Sequence, residues 1–351
     1  MKEIDISRKN STILITLNRQ EVLNALNLNM VRKIYSNIDE WNKDNSISGV
    51  VIKGAGEKSF CAGGDIVSVY HSKGKQDSNL SEDFFREEYI LNLAISNFTK
   101  PWISILNGIA MGGGLGLSVH GSHRIVNEKT LTAMPETAIG LFPDVGGGYF
   151  LSRMESTGLY LALTGKVMNG IDSMYSKIGT HYIDNTKIDI LLKKIINQTN
   201  YSKSFIDDLL LNSSVAKFEQ ESILKEEDKN IKKHFNKEKL EDIFRSLESD
   251  NSEWAINTLK VLSKKSPTSM SVTIKQLSKA KNLSLKECLK MEFRICQSMM
   301  SKHDFYEGVR ANLVEKDKNP NWDPSNILNV SDLLVEEHFK DLGEKELFID
   351  E

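Results

Sequence analysis

Two acidic side chains, Glu136 and Asp144, lie in one stretch that begins at Pro135 and ends in the glycines at 146–148. A pair of carboxylates can activate water, attack a carbonyl carbon or return a proton to a leaving group. Where two such groups lie close together in an apolar pocket, burial and repulsion raise the pKa of one of them. The residue types therefore indicate acid–base or acyl-transfer chemistry. Their spacing leaves open both direct contact and a separation of several ångströms.

Two glycine-rich segments could stabilise the negative charge that forms in such a reaction. The first reads FCAGGDI over 60–66, and the second reads MGGGLG over 111–116. We expect each to follow a strand, at 49–53 and 102–107 respectively. Backbone N–H groups at the ends of parallel strands can point at a single oxygen and form an oxyanion hole. Either segment alone could equally serve close packing, and neither fits the glycine spacing of a dinucleotide or phosphate-loop motif.

Strands and helices alternate in the part of the chain that carries these residues. Residues 11–17 and 49–53 are rich in β-branched and apolar residues, which predicts strands, and 23–41 has apolar residues at helical spacing. A further helix, strand, helix and strand are predicted over 90–98, 102–107, 115–120 and 123–126. This order is typical of a parallel α/β fold. We predict that it forms one core over 1–190.

The rest of the chain, 191–351, is rich in Lys, Glu, Asp, Asn and Leu at helical spacing, which predicts a mainly helical region. The chain has 351 residues, 40% of them hydrophobic, so it can bury a core and is not disordered. Its 45 basic and 48 acidic residues give no strong field for nucleic acid or an anionic membrane. We therefore predict neither as a partner.

Three further features exclude other classes of protein. Cys61, Cys288 and Cys296 are odd in number and widely spaced, so they predict no disulfide framework and no metal knuckle. Residues 102–121 are near membrane length but contain six glycines, so we interpret them as buried core. The first ten residues lack an apolar stretch, so no secretion signal is expected.

The segment AMPETAIGLFPDVGGG at 133–148, together with the two glycine turns, resembles the crotonase (enoyl-CoA hydratase/isomerase) superfamily and, within it, the 3-hydroxyisobutyryl-CoA hydrolases. The resemblance covers nearly the whole chain. Further matches are FFREEY at 84–89, SPTS at 266–269, MEFR at 291–294 and HDFYEGVRANLVEKD at 303–317. The fold that it implies is an α/β spiral of ββα units with a helical C-terminal region.

The resemblance also implies roles for individual residues. Glu136 and Asp144 would be catalytic, and the backbone N–H groups of Gly64 and Gly113 would form the oxyanion hole. Glu88 would face the substrate, towards its 3-hydroxyl group. The remaining residues implied are those that contact coenzyme A, mainly through the backbone: Ala62, Gly63 and Ile66.

The activity implied is hydrolysis of 3-hydroxyisobutyryl-CoA, or of the related 3-hydroxypropionyl-CoA, to the free hydroxy acid and CoA in valine breakdown. Glu136 would either attack the thioester carbonyl or activate water, and Asp144 would position or move protons. One alternative is an enoyl-CoA hydratase or isomerase, although hydratases carry a glutamate where this chain has Gly116. The other alternative is a non-catalytic acyl-CoA-binding protein.

The resemblance implies no metal or redox cofactor, because coenzyme A is part of the substrate. It allows a homo-oligomer, since the superfamily often forms trimers. The location implied is mitochondrial for a eukaryotic source and cytoplasmic for a bacterial one.

Overall fold

The computed structural model describes residues 2–73 and 79–348. Its strands within these ranges are β1 Ile4–Lys9, β2 Thr12–Leu17, β3 Gly49–Gly54, β4 Ser59–Cys61, β5 Trp102–Ile105, β6 Ile109–Met111, β7 His123–Val126, β8 Leu131–Ala133 and β9 His181–Tyr182. Its α-helices are α1 Leu28–Lys43, α2 Ile66–Ser72, α3 Leu80–Ser96, α4 Gly113–Val119, α5 Gly147–Ser152, α6 Glu155–Thr164, α7 Gly170–Tyr175, α8 Asn185–Ile196, α9 Lys203–Ser213, α10 Ile223–Phe235, α11 Leu240–Glu248, α12 Glu253–Leu262, α13 Pro267–Ala280, α14 Leu285–Met300, α15 His303–Val309 and α16 Asp332–Glu337. Among the described residues, no helix combines the length and apolar character needed to cross a bilayer.

The described residues fall into two compact units, each drawn from three chain segments. The first unit takes them from Met1–Gly64, Ile90–Thr132 and Val167–Glu226, and the second from Asp65–Tyr89, Ala133–Lys166 and Glu227–Glu351. These units are defined by which residues lie close together in space. The predicted division between 190 and 191 rests on composition and stays a prediction.

The first unit contains a six-stranded sheet in the order β1-β2-β3-β5-β7-β9. β1 is antiparallel to β2, and every later pair of neighbours is parallel. β3 is buried along its first four residues, as expected of a strand that is covered on both faces. The sheet confirms the predicted parallel α/β class.

Apolar side chains of β3, β5 and β7 pack against α8 and α9 in the core of this unit. α8 contributes residues at helical spacing, which explains why an otherwise polar segment folds as a helix against a sheet. The buried members of this cluster are Val51, Ile103, Ile105, Ile125, Ile183, Ile188, Leu191, Leu192, Ile195, Ile206 and Leu210.

A small three-stranded sheet, in the order β4-β6-β8, carries the two glycine turns. β4 and β6 are parallel, with Ser59 opposite Ile109. The glycine turns therefore follow β4 and β6, and not directly the strands expected at 49–53 and 102–107. The sequence gives no sign of β4 and β6 because three residues are too few to show periodicity.

The second unit is mainly helical. α13 packs against α5 and α6, and α15 packs against a short 3-10 helix, Glu136–Ile139. The Ser266 side chain accepts a hydrogen bond from the Ser269 N–H at the start of α13, where Pro267 is the first helical residue. Beyond Tyr182 the described residues form no strand, which confirms the helical C-terminal region.

One difference between prediction and structure lies at the start of α1. The helix begins at Leu28 and not at Leu23, because the Asn27 side chain accepts from the Met30 N–H and caps it. Leu23 and Asn24 have positive φ values of 55° and 58°, which end a short preceding turn. Apolar spacing alone cannot reveal this break.

Replacing Gly114 by alanine should destabilise the first unit. A Cβ there would lie far inside van der Waals contact with the Cys61 carbonyl oxygen, so β4 and α4 would have to move apart. Such overpacking costs about 1 to 3 kcal/mol in the free energy of unfolding. Denaturant unfolding measures this loss, with Ser36→Ala on the exposed face of α1 as the control. Equal stability of the two variants would contradict the close approach.

Candidate active site

The two predicted glycine turns lie side by side in the first unit. Gly63 has φ +115°, a conformation that L side chains rarely adopt. A Cβ built on it would lie 3.5 Å from the Met111 carbonyl oxygen and 4.0 Å from the Gly113 nitrogen. Gly64 forms a parallel bridge with Leu26, and Gly113 is the first residue of α4. The turns are therefore adjacent, as an oxyanion hole requires, and the role of Gly64 and Gly113 in one stays a prediction.

The residues predicted to contact coenzyme A are placed by backbone hydrogen bonds and by a helix start. The Ala62 N–H donates to the Leu23 carbonyl oxygen at 3.1 Å, and the Gly63 carbonyl oxygen accepts from the Leu26 N–H at 2.8 Å. Ile66 is the first residue of α2, in the second unit. These bonds hold the turn in place, and its contacts with coenzyme A stay predicted.

The second unit brings together the three predicted carboxyl groups. Glu88 lies on α3, Glu136 begins the 3-10 helix, and Asp144 lies in the loop before α5. Their exposed fractions are 1%, 5% and 4%. The charge of Asp144 raises the pKa of both Glu88 and Glu136, so the three groups are close enough to interact.

The position of Glu136 is fixed by the backbone around it. Its carbonyl oxygen accepts from the Leu141 N–H at 3.1 Å, and the next carbonyl, that of Thr137, accepts from the Ser266 N–H at 3.1 Å. Gly140 ends the 3-10 helix with φ +69°. A Cβ on Gly140 would collide with the Asp304 carbonyl, so only glycine allows this approach of α15. Glu136 is therefore held by a rigid turn.

Tyr89 is a site residue that the sequence analysis missed. Its buried hydroxyl group donates a hydrogen bond of 2.7 Å to Oδ2 of Asp144. A donor to a carboxylate stabilises the charged form, so this bond lowers the pKa of Asp144. The match FFREEY contains Tyr89, but only the fold shows that its hydroxyl reaches Asp144.

Burial is the main cause of every pKa shift in this group. It raises the pKa of Asp144 to about 6, against the effect of the Tyr89 hydrogen bond. It raises the pKa of Glu136 well above its ordinary value, and the charges of Asp144 and Glu88 add to that rise. Since the charge of Asp144 acts on both glutamates, Asp144 is the first of the three to ionise. The two glutamates therefore hold their protons to a higher pH than exposed glutamates do.

Lys265 is a second residue that the sequence analysis missed. It lies immediately before the SPTS match, and burial lowers its pKa to about 8 while the charge of Glu136 opposes that fall. A positive charge near Glu136 favours the carboxylate form. Lys265 therefore partly offsets the effect of burial on Glu136.

A fourth buried acid, Glu292 on α14, contacts the loop that carries Asp144. Its Oε2 accepts from the Gly146 N–H at 2.7 Å, and its Oε1 accepts from the Gly148 N–H at 2.8 Å. Burial raises the pKa of Glu292 to about 8, and these two bonds oppose the rise. No role for Glu292 was predicted from the sequence, although the match MEFR contains it.

Among the three predicted carboxyl groups, two oxygens have no hydrogen-bond partner in the described residues: Oε1 of Glu88 and Oε2 of Glu136. A buried polar atom without a partner is costly, so such atoms point to a ligand or water. The two oxygens are therefore available to a bound substrate.

All three cysteines are buried, and none of them forms a disulfide bond among the described residues. Cys61 is a fully buried small residue, as predicted. In the part of the chain that the structure describes, no cluster of His, Cys, Asp and Glu is arranged to hold a metal ion. A reaction without a cofactor stays a prediction.

Replacing Glu136 by glutamine should remove a loss of stability that the wild-type protein suffers as the pH rises. Because its pKa is raised, the folded protein holds a proton that the unfolded protein releases, so wild-type stability falls as the pH rises through that interval. The variant lacks this loss. Denaturant unfolding at about pH 5 and about pH 8 measures the difference, with exposed Glu238→Gln as the control. A pH dependence equal to that of wild type would contradict a raised pKa.

Comparison with known proteins shows the family. The enoyl-CoA hydratase/isomerase family model matches residues 12–339. The chain is 46% identical over 337 residues to the mitochondrial 3-hydroxyisobutyryl-CoA hydrolase of Danio rerio, covering 95% of this chain and 88% of the relative. It is 43% identical over 350 residues to the Homo sapiens protein of the same name, covering 99% of this chain and 90% of the relative. The structure matches a carnitinyl-CoA dehydratase from Mycobacterium thermoresistibile with a TM-score of 0.91 and 34% identity, covering 99% of each chain. The chain therefore belongs to the enoyl-CoA hydratase/isomerase family.

Proposed function

We propose that this protein hydrolyses the thioester of 3-hydroxyisobutyryl-CoA, releasing the hydroxy acid and CoA in valine breakdown. One observation carries the proposal: Glu136 and Asp144 form a buried, mutually interacting pair, while α4 contains no carboxylate. A pair of this kind can take a proton from water and return it to a leaving thiolate. The related ester 3-hydroxypropionyl-CoA is a second substrate of the same class.

The names of the relatives support hydrolysis more than hydration. Proteins 43% and 46% identical to this chain are named 3-hydroxyisobutyryl-CoA hydrolases. The protein named carnitinyl-CoA dehydratase is 34% identical, although its fold is nearly the same. Since one fold can host several reactions, the higher identity carries more weight than the similar backbone.

We assign the backbone N–H groups of Gly64 and Gly113 to the thioester oxygen. Negative charge develops on that oxygen when the carbonyl carbon is attacked. Donors that are already in position stabilise this charge without moving, and losing one such donor raises the barrier by about 3 to 4 kcal/mol. The adjacent glycine turns support this assignment.

Two routes to the acid use the same ionised Glu136. In the first, Glu136 takes a proton from water while the water oxygen bonds to the carbonyl carbon. In the second, Glu136 itself bonds to that carbon, the thiolate leaves, and water then opens the mixed anhydride. In both routes the C–S bond breaks. In the first, Glu136 returns to the thiolate the proton that it took from water, and in the second the thiolate leaves without a proton. We assign Asp144, which ionises before Glu136, to positioning a proton of the attacking water as a hydrogen-bond acceptor.

Glu88 is suited to the 3-hydroxyl group of the acyl chain. Its side chain is almost fully buried, and its Oε1 has no hydrogen-bond partner among the described residues. A site built to bond a hydroxyl group discriminates strongly against a substrate that lacks it, because the buried polar atom is then left unpaired. We therefore propose that Glu88 selects 3-hydroxyacyl esters over simple acyl esters.

The remaining proposals follow the resemblance and the relatives. Ala62, Gly63 and Ile66 contact coenzyme A, and no metal or redox cofactor takes part. A homo-oligomer is proposed by analogy with the superfamily. The location is mitochondrial if the source is eukaryotic, as in the names of the relatives, and cytoplasmic if it is bacterial.

Enoyl-CoA hydration is the second candidate, favoured by the structural match to a protein named as a dehydratase. Hydration in this superfamily uses two glutamates, and the position that resembles the first is Gly116, which is buried in α4. A non-catalytic acyl-CoA-binding protein is the third reading. It gives no reason to bury a pair of interacting carboxyl groups.

Release of the CoA thiol tests these functions. We expect rapid release from 3-hydroxyisobutyryl-CoA, no loss of the double bond of crotonyl-CoA, and a fall in kcat of about 10²- to 10⁴-fold in Glu136→Gln. Glu238→Gln serves as the control. Consumption of crotonyl-CoA without thiol release would instead indicate a hydratase, and tight binding of both esters without turnover would indicate a binding protein.

The pH dependence of kcat tests the interaction between the carboxyl groups. Ionisation of Glu136 sets the acidic limb, and the charge of Asp144 raises its pKa. Asp144→Asn removes that charge, so its residual activity should show an acidic limb at lower pH. Glu88→Gln should shift the limb in the same direction but by less, because the effect of Glu88 on Glu136 is the smaller one. An unmoved limb in Asp144→Asn would contradict this account.

A further inference from the structure

Glu292 holds two backbone N–H groups of the Asp144 loop with the two oxygens of one carboxyl group. It is fully buried, and it accepts from Gly146 at 2.7 Å and from Gly148 at 2.8 Å. The Gln276 side-chain amide donates to the same carboxyl group at 3.1 Å. The arrangement is specific to a carboxyl group, because three donors converge on two acceptor oxygens.

The backbone between these contacts is in a conformation that needs support. Val145 has φ +51° and Gly146 has φ +82°. A β-branched residue with positive φ is uncommon and costs about 1 to 3 kcal/mol, so it persists only where the surroundings hold it. N–H groups left unpaired in this buried loop would add a further cost. The Glu292 carboxyl group keeps the loop in this conformation and accepts hydrogen bonds from two of its N–H groups.

The same network holds the loop on the other side of Asp144. The Gln276 amide donates to the Pro143 carbonyl oxygen at 2.7 Å, and the Asp144 carbonyl oxygen accepts from the Gly147 N–H at 2.7 Å. The residue before Asp144 and the residues after it are therefore attached to α13 and α14. Together with the Tyr89 hydroxyl group, these contacts fix where the Asp144 carboxylate points.

We propose that Glu292, with Gln276 as its link to Pro143, is a positioning residue for thioester hydrolysis. It keeps the loop in the strained conformation that presents Asp144 beside Glu136. The proposal rests on the proposed hydrolase function. It gives a role to the MEFR segment, which contains none of the proposed catalytic or substrate-binding residues. Glu292 itself makes no contact with the reacting atoms in this account.

The test compares Glu292→Gln with Glu287→Gln, which alters an exposed carboxylate on the same helix. Glu287 also accepts from a backbone N–H, that of Ser284 at 2.7 Å, but at the start of α14 and away from the loop. A catalytic group displaced by about 1 Å loses up to about 10²-fold in rate. We expect Glu292→Gln to lower kcat about 10- to 100-fold with KM changed by less than about threefold, and Glu287→Gln to leave both values unchanged.

Gln276→Met keeps the side-chain volume while removing both amide donations, so it covers the case in which Glu292→Gln fails to fold. We expect a smaller fall in kcat, about threefold to tenfold, again without a matching change in KM. If both variants lose stability but keep the wild-type kcat per folded molecule, Glu292 is structural only and the proposal is wrong.

Hydrogen exchange separates this proposal from the proposed function. The Gly146 and Gly148 amides should exchange faster in Glu292→Gln than in wild type, and at the wild-type rate in Glu287→Gln. This readout needs no substrate. Inactive wild-type protein would overturn the hydrolase assignment, whereas unchanged exchange at the two glycines would overturn the role of Glu292 in holding the loop.

Discussion

The burial of carboxyl groups in the second unit is the constraint on which the chemistry depends. Glu88, Glu136 and Asp144 are almost fully excluded from water, and a buried charge is costly unless it is paired or neutralised. The protein responds by raising their pKa values and by giving the Asp144 carboxylate the Tyr89 hydroxyl as a donor. Carboxyl groups with raised pKa values are suited to taking up a proton and giving it back during a reaction. Burial therefore makes ionisation of these carboxyl groups costly, and it also gives them the raised pKa values that acid–base chemistry can use.

Rigid backbone is the means by which the fold keeps these groups in place. The turn after Glu136 needs glycine at position 140, where α15 approaches the backbone, and the loop after Asp144 contains Val145 with positive φ. The Gly140 conformation is readily accessible only to glycine, whereas that of Val145 is unfavourable and persists because neighbouring groups hold it. The helical C-terminal part of the chain, through Glu292, thus contacts the loop that carries the proposed catalytic residue Asp144. In the first unit, close packing does the same for the glycine turns.

Features that depend on neighbouring residues in the sequence could be predicted, and features that depend on residues far apart in the sequence could not. Strands such as β3 were predictable because a run of buried β-branched residues is a local signal. β1 was missed because only one residue of its sequence, IDISRK, is buried and four of the six are polar, and β4 was missed because it is short. Glu136 and Asp144 were found through a contiguous motif. Tyr89, Lys265 and Glu292 act through hydrogen bonds or charge interactions between residues far apart in sequence, which no local pattern reveals.

The central claim is that Glu136 still carries a proton when Asp144 has lost its own. Difference infrared spectroscopy between wild-type protein and Glu136→Gln reads this directly, because a neutral carboxyl group has a carbonyl stretch distinct from that of a carboxylate. We expect a neutral-carboxyl band in the wild type above about pH 6, where Asp144 has ionised, that is absent from the variant and disappears as the pH is raised further. A spectrum in which Glu136 is already a carboxylate at a pH near 5 would contradict it.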